Sequence, residues 1–285
     1  MNKGNYQEGI EQENGKKGKI YWHSAFYAAL QLELHDYKDV LTFEDEHQLS
    51  KEALKMDVLI IKKTADKKIN KNIGQIFKNH NIFEYKSETD NLNIWDYNKV
   101  TGYAMLYSAF EEIPMDDITI SFVVTPKPIK LFDHLVSDRG FEIDEVNNGI
   151  YYVKGDTFKV QIIESKKLTA DENVFLKNLR SSLTKMDMQE VFDAYRKYGL
   201  LEKVNIYLDR VLDANQSILK EVLAMSSAAV RQIIFEHFEK DGTLDRIRED
   251  KAKETALEML KDGFPPDKVA RYVQMPIEWV QGLTK

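Results

Sequence analysis

The sequence predicts an α/β domain followed by an all-helical region. Three observations carry this. Ile118 to Val124 (ITISFVV) is a near-continuous apolar run, the pattern of a strand covered on both faces in an α/β sheet. Helical periodicity alternates with strand-like runs through the first 168 residues. After Leu168 the strand signals stop, and helices follow one another with breaks near Ser182, Gly199, Asp213, Gly242 and Gly263. A chain of 285 residues is long enough for one large domain or two ordinary ones. The expected organisation is a polar tail over 1–19, an α/β domain over 20–168 and a helical region over 169–285, with the boundary near Lys167.

The tail is rich in Gly, Asn, Glu, Gln and Lys and has almost nothing to bury. From Tyr21 to about Asp36, Trp22, Ala25, Phe26, Ala29 and Leu30 recur at helical spacing and form one apolar stripe. Glu33 projects near the middle of that stripe. A buried acid costs free energy unless it is paired, hydrogen-bonded or bound to a metal; the alternative is that Glu33 lies at the stripe's edge and reaches water. Val40 to Leu49 reads as a strand on which Glu44 and Glu46 share a face, Glu46 being a secondary site candidate against a solvent-facing role.

Lys55 to Ile61 (KMDVLII) reads as a buried strand with Asp57 near its start, and a buried Asp requires a partner. Asn81 to Lys86 (NIFEYK) has the β-branched and aromatic enrichment of a strand. Successive strand residues point to opposite faces, so Glu84 and Lys86 share one, beside Ile82. Between the two strands run Lys62, Lys63, Lys67, Lys68, Lys71 and Lys78, against Asp66 alone. These lysines are either phosphate contacts or a solvated loop, which Ile69, Ile73, Ile76 and Phe77 would pack down.

Asp96 is placed to cap a helix through Phe110 whose expected inner face holds Val100, Tyr103, Leu106, Tyr107 and Phe110. Lys99 lies one turn before Tyr103. Ile129 to Ser137 reads as a helix stopped near Gly140. Gly149 to Val153 and Thr157 to Ile163 read as a hairpin across Lys154-Gly155-Asp156. Thr169-Ala170-Asp171-Glu172 looks like a capping box, and helices are expected at Met186 to Tyr198, Leu201 to Leu212 and Ser217 to Phe238. The tail 255–285 alternates helix with Gly263, Pro265-Pro266 and Pro276, resembling a small helix-turn-helix, for which packing or dimerisation is the preferred role.

Paired as a hairpin, the Asp57 and Glu84 strands would bring two carboxylates together, and a hard divalent cation takes such oxygens with water and substrate phosphate. Lys86 could then hold or polarise the attacking water. An acid followed by an acid-x-lysine resembles the PD-(D/E)XK nucleases, in particular the bacterial group known as PD-(D/E)XK nuclease family transposases or recombination-promoting nucleases. The resemblance extends over Phe43 to Leu49, Lys55 to Lys63, Ile73 to Lys86 and Asp96 to Tyr107, roughly the first half of the chain. Met56 stands where the family name has Pro.

The resemblance implies a restriction-endonuclease-like core, a mixed sheet flanked by helices, and a divalent-metal-dependent DNA endonuclease linked to transposition or recombination. It implies Mg²⁺ or Mn²⁺ on Asp57, Glu84 and the Tyr85 backbone carbonyl, with Glu33 as a further carboxylate. Lys99 is implied as an auxiliary toward the substrate phosphate. DNA and a second copy of the chain are the expected partners, with no membrane and no small-molecule cofactor. The other class in play is a nuclease-fold protein without cleavage, used for binding or assembly.

Composition bounds these readings. The chain contains no Cys, which excludes disulfides, thiolate nucleophiles and Cys-ligated metal centres. Its six His are scattered without ligand spacing. No apolar window approaches a membrane span and the N-terminus is too polar for a signal peptide, so a cytoplasmic location is expected. The net charge of −7 is unusual for a DNA-binding protein, and would require a local basic patch.

Overall fold

The computed structural model describes residues 22–44, 59–198, 202–218 and 243–283, together with 222, 231, 232, 235 and 239. The chain divides into two compact units, Met1–Lys220 and Glu221–Lys285. The boundary expected near Lys167 falls inside the first.

The first unit is α/β, built on one seven-stranded mixed sheet in the order β1-β2-β3-β4-β7-β6-β5. The strands are β1 (Leu41–Glu44), β2 (Leu59–Lys63), β3 (His80–Lys86), β4 (Ile118–Val124), β5 (Glu142–Asn147), β6 (Ile150–Lys154) and β7 (Lys159–Glu164). The central β3, β4 and β7 run parallel, and the pairs toward both edges are antiparallel. All seven residues of β4 are buried, as its apolar run predicts for a strand covered on both faces. β5 (EIDEVN) escapes sequence reading because it is charged and largely exposed. That composition suits an edge strand, whose open backbone groups would otherwise pair with other chains.

Helix α1 (His23–Glu33) precedes the sheet, α2 (Ile94–Phe110) joins β3 to β4, and α3 (Ile129–Ser137) follows β4. Asn93 caps α2: its side chain accepts from the N–H groups of Trp95 and Asp96, while the Asp96 carboxylate accepts from the Asn93 N–H. Asp96 is therefore the returning half of a capping box and not the cap itself. Tyr97, Val100, Ala104 and Tyr107 on α2 pack with Leu131 and Leu135 of α3 against Ile60, Ile82, Ile120, Phe122 and Ile162 of the sheet. Burying each of the Val, Leu, Ile and Phe side chains among these is worth roughly 1.5–3 kcal/mol. Leu106 and Phe110, expected on this inner face, are exposed.

The opposite face of the sheet carries α1 with α4 (Ala170–Lys177) and α6 (Glu202–Ala214); α5 (Lys185–Tyr198) packs beside them. Phe26 of α1 stacks on Tyr85 at 4.8 Å between ring centroids. The 64–79 connection lies on this side, anchored by buried Ile69, Ile73, Ile76 and Phe77. Asn81 Oδ1 accepts from Thr119 Oγ1 at 2.7 Å, and Gln161 Nε2 donates to the Ile73 carbonyl at 2.8 Å. The first of these buried hydrogen bonds ties β3 to β4, and the second fixes the long loop to β7. Thr169 makes no side-chain cap, and Glu172 instead accepts from Asn72 Nδ2 at 2.9 Å.

In the second unit, α7 (Thr243–Lys261), α8 (Pro266–Val273) and α9 (Ile277–Gly282) form the helix-turn-helix-like tail. Ala256, Val269, Ala270 and Val280 make its small core, with Trp279 packed against it. Among the described residues no helix is long and apolar enough to cross a membrane.

Candidate active site

β3 pairs antiparallel with β2 through Leu59↔Phe83 and parallel with β4 through Lys86↔Val124. This fixes the face of each residue. Glu84 and Lys86 point with Ile82 toward α2, while Phe83 and Tyr85 point toward α1. Glu84 and Lys86 are both buried.

Around them forms a compact charged group. The Lys86 ammonium lies 3.6 Å from Glu84 Oε1, 3.2 Å from Asp90 Oδ2 and 3.0 Å from Asp96 Oδ1. Lys99, on the second turn of α2, brings its ammonium to 3.9 Å from the same Glu84 oxygen. Burial pulls the Lys86 pKa down, but the hydrogen bonds to Asp96 and Asp90 and the charge of Glu84 outweigh it, so the pKa stands above its ordinary value. Lys86 is thus held as an ammonium. It can donate hydrogen bonds and stabilise negative charge, but it is a poor base at neutral pH.

The loop after β3 is fastened separately. Glu88 accepts from the Ser181 hydroxyl, from the Ser181 N–H at 3.1 Å and from Ser182 Oγ at 2.5 Å, and it pairs with Lys166 at 3.3 Å. Partial burial opposes ionisation of Glu88, yet these donors hold its pKa down at about 2.

No protein-family model, curated protein or solved structure matches this chain.

Of the residues singled out in the sequence, Glu84, Lys86 and Lys99 come together. Asp57 and Glu46 lie outside the described residues. Glu33 does not join the group. Its buried carboxylate lies on the α1 side of the sheet, where Oε1 accepts from the N–H groups of Phe175 and Leu176 at 2.7 and 3.2 Å. Its Oε2 pairs with Lys71 at 2.8 Å. Asn173, just before those donors, breaks the helical backbone at φ −142 and ψ 52, so Glu33 caps a restarted helical turn. Burial raises the Glu33 pKa against the lowering effects of Lys71 and the two N–H groups. A cleft of about 470 Å³ borders this carboxylate, lined also by Asp36, Lys71 and Glu190, and it does not include Glu84 or Lys86.

The lysine run also departs from expectation. Lys62 pairs in register with His80, at the opposite end of β3 from Lys86, roughly 20 Å away at about 3.3 Å per strand residue. Lys62 pairs with Glu44 at 2.6 Å, Lys63 with Asp66 at 3.6 Å, and Lys67 sits over the Tyr37 ring at 5.5 Å. Lys68 is exposed in the same loop. These cations are arranged at the wrong end of the sheet to serve the Glu84–Lys86 group.

Sequence reading missed Asp90 as a partner of Lys86 and missed the second role of Asp96. The available signal was short range: Asp90 lies four residues beyond Lys86 and Asp96 occupies the capping-box position. Among the described residues, no three Asp, Glu or His side chains converge to hold a metal ion. Glu84 is the described side-chain carboxylate of the expected ligand set that faces the group.

Proposed function

We propose that the chain is a divalent-metal-dependent endonuclease acting on DNA, on a restriction-endonuclease-like version of its α/β fold. The observation that carries this reading is the buried Glu84 carboxylate with the ammonium groups of Lys86 and Lys99 within 3.6 and 3.9 Å. It lies at the C-terminal end of a central parallel strand, where open α/β sheets commonly bind ligands. The element order also supports it: a helix, the β2–β3 hairpin ending in acid-x-lysine, a helix, then a strand parallel to β3.

In this reading Asp57 and Glu84, with the Tyr85 carbonyl, would hold Mg²⁺ or Mn²⁺, which would supply positive charge to a scissile phosphate. Lys86 donates to the attacking water or to a phosphate oxygen. Paired with Asp96, Asp90 and Glu84, it works by orientation and charge stabilisation, and the water's proton passes to solvent. Lys99 contacts the neighbouring phosphate. A homodimer would present two such centres to the two strands.

Nicking of supercoiled plasmid in Mg²⁺ or Mn²⁺ tests the reading. The intact chain is expected to nick, and Asp57→Ala and Lys86→Ala to lose the activity. Equal nicking by all three would place the chemistry elsewhere.

A second reading is favoured by one specific observation. Lys86 lies closer to Asp96 and Asp90 than to Glu84, as in a structural ion-pair cluster. In that case the fold serves DNA binding or assembly without cleavage, and no metal supports nicking.

A further inference from the structure

Trp95, on the first turn of α2, is 77% exposed. Single exposed apolar residues are common on protein surfaces, but the neighbours of this one are specific. Its backbone N–H donates to Asn93 Oδ1 at 2.8 Å, so the capped helix start fixes its position. The residues three and four positions on are its surface neighbours on a helix, and these are Asn98 and Lys99. Asn98 Oδ1 accepts from the Arg139 guanidinium at 2.5 Å. Lys99 reaches Glu84. The indole therefore shares its helix surface with Lys99, whose ammonium touches the candidate active site, and with Asn98, which holds the Arg139 guanidinium where it also lies over the Tyr97 ring at 5.9 Å. Two turns along the helix, a Cβ on Gly102 would meet nothing within 4 Å, so no other element covers the helix there. The nearby carboxylates Asp90 and Asp96 are engaged with Lys86.

An exposed aromatic ring with cations on neighbouring residues suits a nucleic-acid strand: the cations meet phosphates and the ring stacks on a base whatever its identity. It requires a base whose own faces are uncovered. In uninterrupted duplex they are buried in the stack. We infer that Trp95 is a stacking platform for an unpaired nucleotide, with Lys99 and Arg139 on the flanking phosphates, so that the chain selects single-stranded or branched DNA over continuous duplex. This rests on the reading of Glu84 and Lys86 as a DNA site and names its substrate class.

The test is fluorescence anisotropy with the full chain, using a labelled oligothymidylate of about a dozen nucleotides and a duplex of the same length, with Ca²⁺ in place of Mg²⁺. The oligonucleotide is expected to bind more tightly than the duplex. Trp95→Ala should weaken oligonucleotide binding about tenfold or more, Trp95→Phe should retain most of it, and duplex binding should stay unchanged. Lys99→Gln should lower the salt dependence by about one phosphate contact. Unchanged oligonucleotide binding by Trp95→Ala would overturn the inference, as would an equal loss for both DNAs. So would a shift of Trp95→Ala from dimer to monomer with oligonucleotide affinity intact, which would assign the strip to a second copy. If the chain nicks plasmid but Trp95→Ala binds normally, the stacking role alone fails. If Trp95 governs oligonucleotide binding and no metal supports nicking, hydrolysis alone fails.

Discussion

Asp96 serves two elements at once: Oδ2 accepts from the Asn93 N–H at 3.3 Å, closing the capping box of α2, and Oδ1 holds the Lys86 ammonium at 3.0 Å. The start of α2 and the end of β3 are thereby locked together. The position of Lys99, one turn further on, follows from the same lock.

Replacing Asp96 with Ala should therefore act on stability and on the site together. Losing this half of the capping box is expected to cost about 1 kcal/mol, read as a lower urea midpoint. Lys86 would then be held by Asp90 and Glu84 alone, so nicking should change by more than the loss of folded protein explains. A nicking change that merely tracks the folded fraction would show that Asp96 is only a cap.

Glu33 separates a structural from a metal-binding role. Glu33→Ala should destabilise the first unit by about 3 kcal/mol, because it strands two buried N–H groups and the Lys71 ammonium. Glu33→Gln keeps an acceptor oxygen for Phe175 and Leu176, so urea unfolding should show a smaller loss. Its nicking per folded molecule should equal that of the intact chain. A Gln variant that is stable but inactive would return Glu33 to the metal site.

Glu88 predicts an acid-dependent loosening of the loop beside Lys86. Its folded pKa of about 2 lies below the ordinary 4.5. Its stabilising contribution is therefore present above 4.5 and is lost as pH falls toward 2. Unfolding midpoints measured across that window should fall less steeply in Glu88→Gln than in the intact chain. Parallel curves would show that the Ser181, Ser182 and Lys166 contacts contribute little.

Lys86 predicts the alkaline side. Its folded pKa is raised above 10.5, so the stability it contributes is fully present below that value and is lost as pH rises through the folded one. Between about pH 7 and pH 10 it stays charged, and the nicking rate should show no falling limb from this group. Lys86→Arg, which preserves the charge, should keep more activity than Lys86→Ala. A descending limb that vanishes in Lys86→Arg would mean that Lys86 titrates during turnover.

The sequence by itself determined most of the extended and helical segments of the first unit, charged β5 excepted, and the buried face of several of them. The uniform apolar run of β4 fixed a central strand, period two put Glu84 and Lys86 on one face, and period 3.6 put Glu33 on the inside of α1. These are local properties of the backbone and can be read from near neighbours. Only the tertiary structure decided the partners. Glu33 needed a counterpart, yet its donors lie 142 and 143 residues away on α4. Lys62 and Lys63 end β2, and antiparallel pairing places them at the far end of β3 from Lys86. Charge pairing depends on which side chains meet across elements, and sheet register and helix docking set those meetings at separations that no periodicity encodes.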